Sequence, residues 1–227
     1  MSLSPFSYKV ERFGHEQEPI IVIENYTSNM AYLKQRAHHA AYKRSSSYYP
    51  GLQAPEDPNY LGIRGDELIS LMSTVFNFKG KLNIESCDYS MVCKPRDTLD
   101  VAQCLPHYDA LTSNLFAIVH YVQAEPTSGT AFYRHKRTGF ETISEKRSSA
   151  YKEGLQDDLS TYGPPDKNYF YGTDDRYEMI GEIEAKPDQL IMYRGHTLHS
   201  GCIPDSTILA PDPKVARITL NSFLKEI

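Results

Sequence analysis

Leu105-Pro106-His107-Tyr108-Asp109, followed by the apolar run Leu115-Phe116-Ala117-Ile118-Val119-His120-Tyr121-Val122, decides how this chain is built. The second stretch is rich in β-branched and aromatic residues, the signature of a strand. In an extended segment alternate side chains project to one side, so His107 and Asp109 can face a single point in space. Similar short β runs recur at 82–92, 130–133, 177–184, 189–193 and 218–224. Many short strands separated by Gly and Pro turns predict a sandwich or barrel. The expected fold is mainly β with flanking helices, around a double-stranded β-helix (jelly-roll, cupin-like) core.

Upstream, 19–23 reads as a strand, and Ser28 is placed to cap a helix over 30–41. A Pro- and Gly-containing loop covers 50–64, and 66–76 alternates at helical spacing. The expected organisation is a single domain, 1–227. Residues 1–80 would supply the N-terminal strand and helices, and 81–227 the jelly-roll core. A polar insert at about 136–178 reads as a partly helical lid over an open mouth.

The His-x-Asp pair is weak alone. With 8 His and 14 Asp in 227 residues, about half an occurrence is expected by chance. Its weight comes from two downstream elements. The first runs Asp188-Gln189-Leu190-Ile191-Met192-Tyr193-Arg194-Gly195-His196-Thr197-Leu198-His199, an apolar run, a turn and two histidines. His199, six positions after Tyr193, is the favoured third partner of His107 and Asp109, and His196 is its rival. The second element, 215–223, alternates so that Arg217 and Thr219 share a face. Two histidines and one carboxylate occupy one face of a metal and leave the other open, the pattern of non-haem Fe(II) oxygenases.

At these residues the chain resembles the 2-oxoglutarate/Fe(II)-dependent dioxygenase superfamily, in particular its prolyl-hydroxylase-like branch. The resemblance covers about 83–223. It rests on His107-x-Asp109, the strand at 116–123, the turn Ser128-Gly129-Thr130-Ala131-Phe132, His199 and Arg217-x-Thr219. The chain is also similar to a bacterial group of that superfamily that carries a Gly-Thr-Ala-Phe-Tyr-Arg-His stretch, here 129–135, without an assigned substrate. The resemblance implies Fe(II) on His107, Asp109 and His199, with 2-oxoglutarate and O2 as cosubstrates. It implies that Arg217 pairs with the far carboxylate of 2-oxoglutarate, with Thr219, Tyr121 and Tyr89 as further contacts. It implies a hydroxylase acting on an unactivated C–H bond of a small-molecule or peptide substrate. The sequence departs from the usual pattern in spacing: 90 positions from Asp109 to His199, and 18 from His199 to Arg217. The polar insert accounts for the first excess, and a proline-containing loop at 203–214 for the second.

Composition is that of an ordinary folded protein, with 40% hydrophobic and 23% charged residues. A formal charge of −5 argues against broad nucleic-acid binding. No apolar run approaches ~20 residues, so no membrane-spanning helix is expected. Four cysteines without zinc-type pairing, and a start without a basic-then-apolar leader, point to buried thiols and the cytoplasm. Arg134, His135 and Arg137 are either contacts for an anionic substrate or a solvated basic cluster. Two other functions stay open: a cupin-like metalloenzyme that does not use 2-oxoglutarate, and a non-catalytic binding protein that keeps the fold. Substrate identity and oligomeric state are not legible.

Overall fold

The computed structural model describes residues 7–27, 29–45 and 48–227. Among them eleven strands form two antiparallel sheets. The strands are β1 Ser7–Arg12, β2 Pro19–Glu24, β3 Lys43–Arg44, β4 Gly51–Pro55, β5 Leu82–Val92, β6 Leu115–Gln123, β7 Thr130–His135, β8 Tyr177–Ile183, β9 Leu190–Arg194, β10 His199–Gly201 and β11 Arg217–Glu226. The helices are α1 Met30–His39, α2 Gly65–Phe76 and α3 Glu145–Tyr162. The larger sheet runs β1-β2-β9-β6-β11-β5-β4-β3 and the smaller β10-β7-β8. Strands that follow one another in the chain, such as β6 and β7 or β9 and β10, fall in different sheets. This is the jelly-roll arrangement expected from the sequence.

The central strands β2 and β9 are buried on both faces, and the period of two decides which side chains meet the other sheet and which meet the helices. Ile20, Val22, Ala117, Tyr121, Phe132, Ile191 and Tyr193 pack together between the sheets. The opposite face of the larger sheet is covered by helices. Leu33 and Ala37 of α1 meet Met91, Ile218 and Leu220, while Leu68, Leu71, Met72 and Phe76 of α2 meet Ile21, Phe116 and Ile118. The Asn29 side chain caps α1 by accepting from the Tyr32 amide at 3.4 Å; the expected cap, Ser28, lies outside the described residues. Asp66 and Glu67 stand in the first turn of α2, where negative charge suits the helix dipole, and Asn77 closes it at φ 56°.

The helix of the polar insert, α3, packs beside the smaller sheet, and its Tyr151 ring meets that of Tyr108, between His107 and Asp109, at 6.0 Å between centroids. Tyr151 of α3 packs with Ala131, Tyr133 and Tyr177 on the outer face of the smaller sheet. Asp158 anchors the helix, accepting from His135 Nε2 at 2.8 Å and Arg137 Nε at 2.6 Å. Arg134 is held by Glu141 and Glu178. The basic cluster therefore serves the fold, and its charges are matched by carboxylates rather than offered to a substrate.

Gly129 opens β7 where the backbone comes very close to β8. A methyl group there would stand 1.9 Å from the Ile183 carbonyl oxygen. The obstruction is main chain and cannot rotate away. Gly129→Ala is expected to destabilise by about 3 kcal/mol or more, beyond ordinary overpacking. A urea-denaturation midpoint equal to wild type would contradict the close approach.

Candidate functional site

The site begins with backbone pairing at the end of the smaller sheet. His107 donates its amide to the His199 carbonyl at 2.9 Å, and His199 returns the same bond at 2.9 Å. His107 thus lies beside β10, and two residues far apart in sequence become cross-strand neighbours. Their rings are 4.3 Å apart between centroids. The amides of Asp109 and Ala110 both donate to the Gly195 carbonyl, at 2.7 and 3.1 Å, which turns the Asp109 carboxylate toward the two rings.

His107 Nε2 stands 3.9 Å from Asp109 Oδ1, and His199 Nε2 stands 3.6 Å from Asp109 Oδ2. These separations are too long for hydrogen bonds. They suit three atoms about 2 Å from one shared ion, which lie roughly 3–4 Å from each other. One ligand atom from each of the three residues falls within 4.8 Å of the others. His199 Nδ1 lies 2.9 Å from the Thr197 carbonyl. That bond holds the proton on Nδ1 and leaves the Nε2 lone pair facing Asp109, as metal-binding imidazoles require.

The electrostatics favour the same use. The His199 side chain is 6% exposed and that of Asp109 15%, while the His107 side chain keeps 53% of its surface open. His107 thus presents an edge to solvent. Burial, then the neighbouring His199, pushes His107 down to about 4, and burial pushes His199 to about 4. Burial lifts Asp109 to about 6, against the pull of His107. Near neutral pH the group is two neutral imidazoles and a poorly solvated carboxylate, the protonation state that binds a divalent cation.

His196, the rival third ligand, takes no part. Its Nε2 points toward Glu18 at 3.7 Å, away from the cluster.

Strand pairing sorts the remaining candidates. Thr219 pairs with Ser90 of β5 and Tyr121 of β6, so these three share the face turned to the smaller sheet. Arg217, two residues before Thr219, shares that face. Leu220 pairs with Tyr89 on the other face. The Tyr89 ring packs with Leu33 and Ala37, and its hydroxyl reaches the Leu33 carbonyl at 3.4 Å. The expected cosubstrate contact from Tyr89 is thereby corrected: the period of two sends that ring under α1.

Arg217 is 7% exposed. Its Nε donates to the Ser128 carbonyl at 2.9 Å and its Nη2 to the Gly129 carbonyl at 3.2 Å. Among the described residues no carboxylate pairs with it. It is within electrostatic reach of Tyr49, Tyr121, Tyr193 and Cys202. A buried guanidinium without a counter-charge is costly, and binding an anion removes the cost. The Tyr121 hydroxyl is shared with Thr130 Oγ1 at 2.8 Å. Tyr193 carries more than the sequence suggested: its ring meets that of His199 at 4.8 Å between centroids. Its place next to the Arg-Gly turn gave no sign that it reaches inward.

A family model matches residues 4–224. The chain belongs to DUF6445, a family of unknown function. No curated protein matches this DUF6445 chain in sequence. Among solved structures, it is similar to the non-haem α-ketoglutarate-dependent carbocyclase SnoK from nogalamycin biosynthesis. That match has a TM-score of 0.54 and 9% identity, over 93% of this chain and 81% of the other. HygX from Streptomyces hygroscopicus, solved with nickel and 2-oxoglutarate bound, matches at TM-score 0.49 and 9% identity, over 93% and 84% of the two chains. A prolyl-4-hydroxylase from Pseudomonas putida matches at 0.49 and 10%, over 93% and 95%. At these identities the likeness is one of fold: this DUF6445 chain shares its jelly roll with SnoK. Among the described residues no helix is long and apolar enough to cross a membrane.

Proposed function

We propose that this chain is an Fe(II)- and 2-oxoglutarate-dependent oxygenase that hydroxylates an unactivated C–H bond of a small-molecule or peptide substrate. The observation that carries the proposal is a pairing of two sites in one barrel. A two-histidine, one-carboxylate cluster stands beside β10, and Arg217 lies buried on the inward face without an anionic partner among the described residues. A cupin-like metalloenzyme without 2-oxoglutarate would have no use for that uncompensated cation. A non-catalytic binding protein would not need ligands held in the metal-binding protonation state.

His107, Asp109 and His199 would hold the iron; iron and 2-oxoglutarate, when bound, supply the oxidising chemistry. The protein's part is orientation and charge. Arg217 would receive the far carboxylate through parallel N–H bonds, with its fork aimed by the Ser128 and Gly129 carbonyls. Thr219 and Tyr121 would border that end, though the Tyr121 hydroxyl is already engaged by Thr130. Asp109 would fill the third protein position on the metal, which favours hydroxylation over transfer of a halide. The open edge of His107 marks the side from which substrate would approach.

Anaerobic titration with Fe(II) and then 2-oxoglutarate tests the proposal. A weak visible charge-transfer band is expected when both are bound. Tight iron binding without the band would leave the metalloenzyme that uses no 2-oxoglutarate, and absence of iron binding would refute both. The pH dependence has a defined sign. The Asp109 carboxylate, lifted to about 6, is protonated below that value, and the metal must then displace the proton. Iron affinity is expected to be flat above pH 6 and to fall about tenfold per unit below it. An affinity unchanged between pH 7 and 5, measured by the same titration, would contradict that role for Asp109.

A further inference from the structure

We propose that Asp88 and Asn221, side by side on the inward face of the larger sheet, form a substrate subsite for a cationic group, an alkylammonium or a guanidinium; this rests on the proposed function. Asn221 pairs with Asp88 of β5 and with Val119 of β6. It lies two residues beyond Thr219, so these side chains share the face turned to the smaller sheet. The same register places them near the metal ligands. The Tyr193 ring meets that of His199, Tyr193 pairs with Ala117, and Ala117 pairs with Phe223. Asn221 is the next residue of β11 on that face, about 7 Å along the strand.

This part of the inward face is open. The smaller sheet has three strands against eight, and Asp88, Asn221 and Phe223 are only half-buried although they face inward. Thr219 and Ser90, one step toward Arg217, are buried. Val119 and Phe223 give the opening an apolar floor. Its polar groups are acceptors in need of a donor. Asn221 Oδ1 is buried without a hydrogen-bond partner among the described residues. Burial alone lifts the Asp88 carboxyl above the ordinary carboxylate range, with no cation or hydrogen-bond donor to pull the other way. In the next row Gln53 Nε2 donates to Ser90 Oγ at 3.0 Å, so those two satisfy each other. A carboxylate short of both water and counter-charge is costly, and a bound cation removes the cost. An ammonium or guanidinium carries donors only, enough to serve Asp88 and Asn221 together. 2-Oxoglutarate, a dianion, would be repelled by Asp88, so the subsite belongs to the substrate. The aliphatic stem of such a substrate would lie on Val119 and Phe223 and offer the C–H bonds that the proposed chemistry attacks.

Isothermal titration calorimetry tests this on the full-length protein, kept anaerobic and loaded with Fe(II) and 2-oxoglutarate. One series of probes is pentylamine, pentylguanidine, pentanol and pentanoate. The other is a capped tripeptide with lysine, arginine, norleucine or glutamate between two glycines. In at least one series a cationic probe is expected to bind about tenfold or more tighter than the neutral one, and the anionic probe not at all. The series that binds identifies the source, a free small molecule or a peptide side chain. Asp88→Asn should remove most of that preference and leave iron and 2-oxoglutarate affinity unchanged. Its metal-free melting temperature should be at or above wild type, because an uncompensated carboxylate has gone. Equal binding of cationic and neutral probes in both series would overturn the proposal, as would a preference that survives Asp88→Asn. A lower melting temperature in the variant would assign the carboxylate to the fold and overturn it too. If wild type binds iron but gives no charge-transfer band with 2-oxoglutarate, the proposed function fails and the subsite fails with it. A normal band without any preference for the cation sinks the subsite alone.

Discussion

Replacing His199 by alanine is expected to abolish iron binding while leaving the fold in place. The substitution keeps the backbone amide and carbonyl that pair with His107, so the end of the smaller sheet stays closed. What is lost is the Nε2 lone pair that Thr197 holds ready by fixing the proton on Nδ1. Removing an outer partner of a metal ligand commonly costs 10–100-fold in affinity. Removing the ligand itself should exceed about 100-fold. His107 and Asp109 would remain, but two donors make a poor cage for a hydrated divalent ion. The measurement is anaerobic iron titration, with thermal melting of the metal-free protein as control. Retention of wild-type affinity would move the third ligand elsewhere, and loss of cooperative melting would mean that the imidazole is structural.

The second large effect is at Arg217, on the inward face of β11. Arg217→Met keeps the length of the side chain and removes its charge and donors. Truncating one partner of a buried, hydrogen-bonded charge pair costs about 2–5 kcal/mol, so 2-oxoglutarate affinity should drop by on the order of a hundredfold or more. Iron affinity should not change, because Arg217 touches none of the three ligands. Arg217→Lys is expected to fall between: the charge survives, but an ammonium cannot reproduce a two-pronged grip. The charge-transfer titration reads both variants. Equal loss of iron in the His199 and Arg217 variants would contradict the division of roles.

The sequence carried much of this, and where it failed the reasons are geometric. His107 and Asp109 could be placed on one side from strand periodicity alone, and His199 from its offset after Tyr193. Arg217 and Thr219 followed from the same periodicity. Tyr89 did not, because periodicity says which residues of one strand agree, not how that strand is phased against its neighbour. Only the pairing of Leu220 with Tyr89 reveals that the ring faces α1. Tyr193 was visible as a landmark, yet an apolar run buried on both faces does not announce which face holds the site. β10 is three residues long, and β1 is largely exposed, so neither carries a hydrophobic signal. The insert was recognised as polar and partly helical. That α3 braces the outer face was hidden, because its anchor is an ion pair between Asp158 and residues some twenty positions upstream.

The mutual backbone bonds of His107 and His199 also order events in time. Ninety positions separate Asp109 from His199 along the chain, and closing so long a loop is entropically slow before other contacts repay it. The three ligands can meet only after β6 to β9 have been laid down and β10 has docked. Synthesis runs from the N-terminus, so no growing polypeptide that stops short of His199 holds all three. A metal held by all three ligands would therefore be captured only at the last stage of folding. The long separation that weakens the motif on paper would keep a redox-active ion away from the chain until the barrel around it is complete.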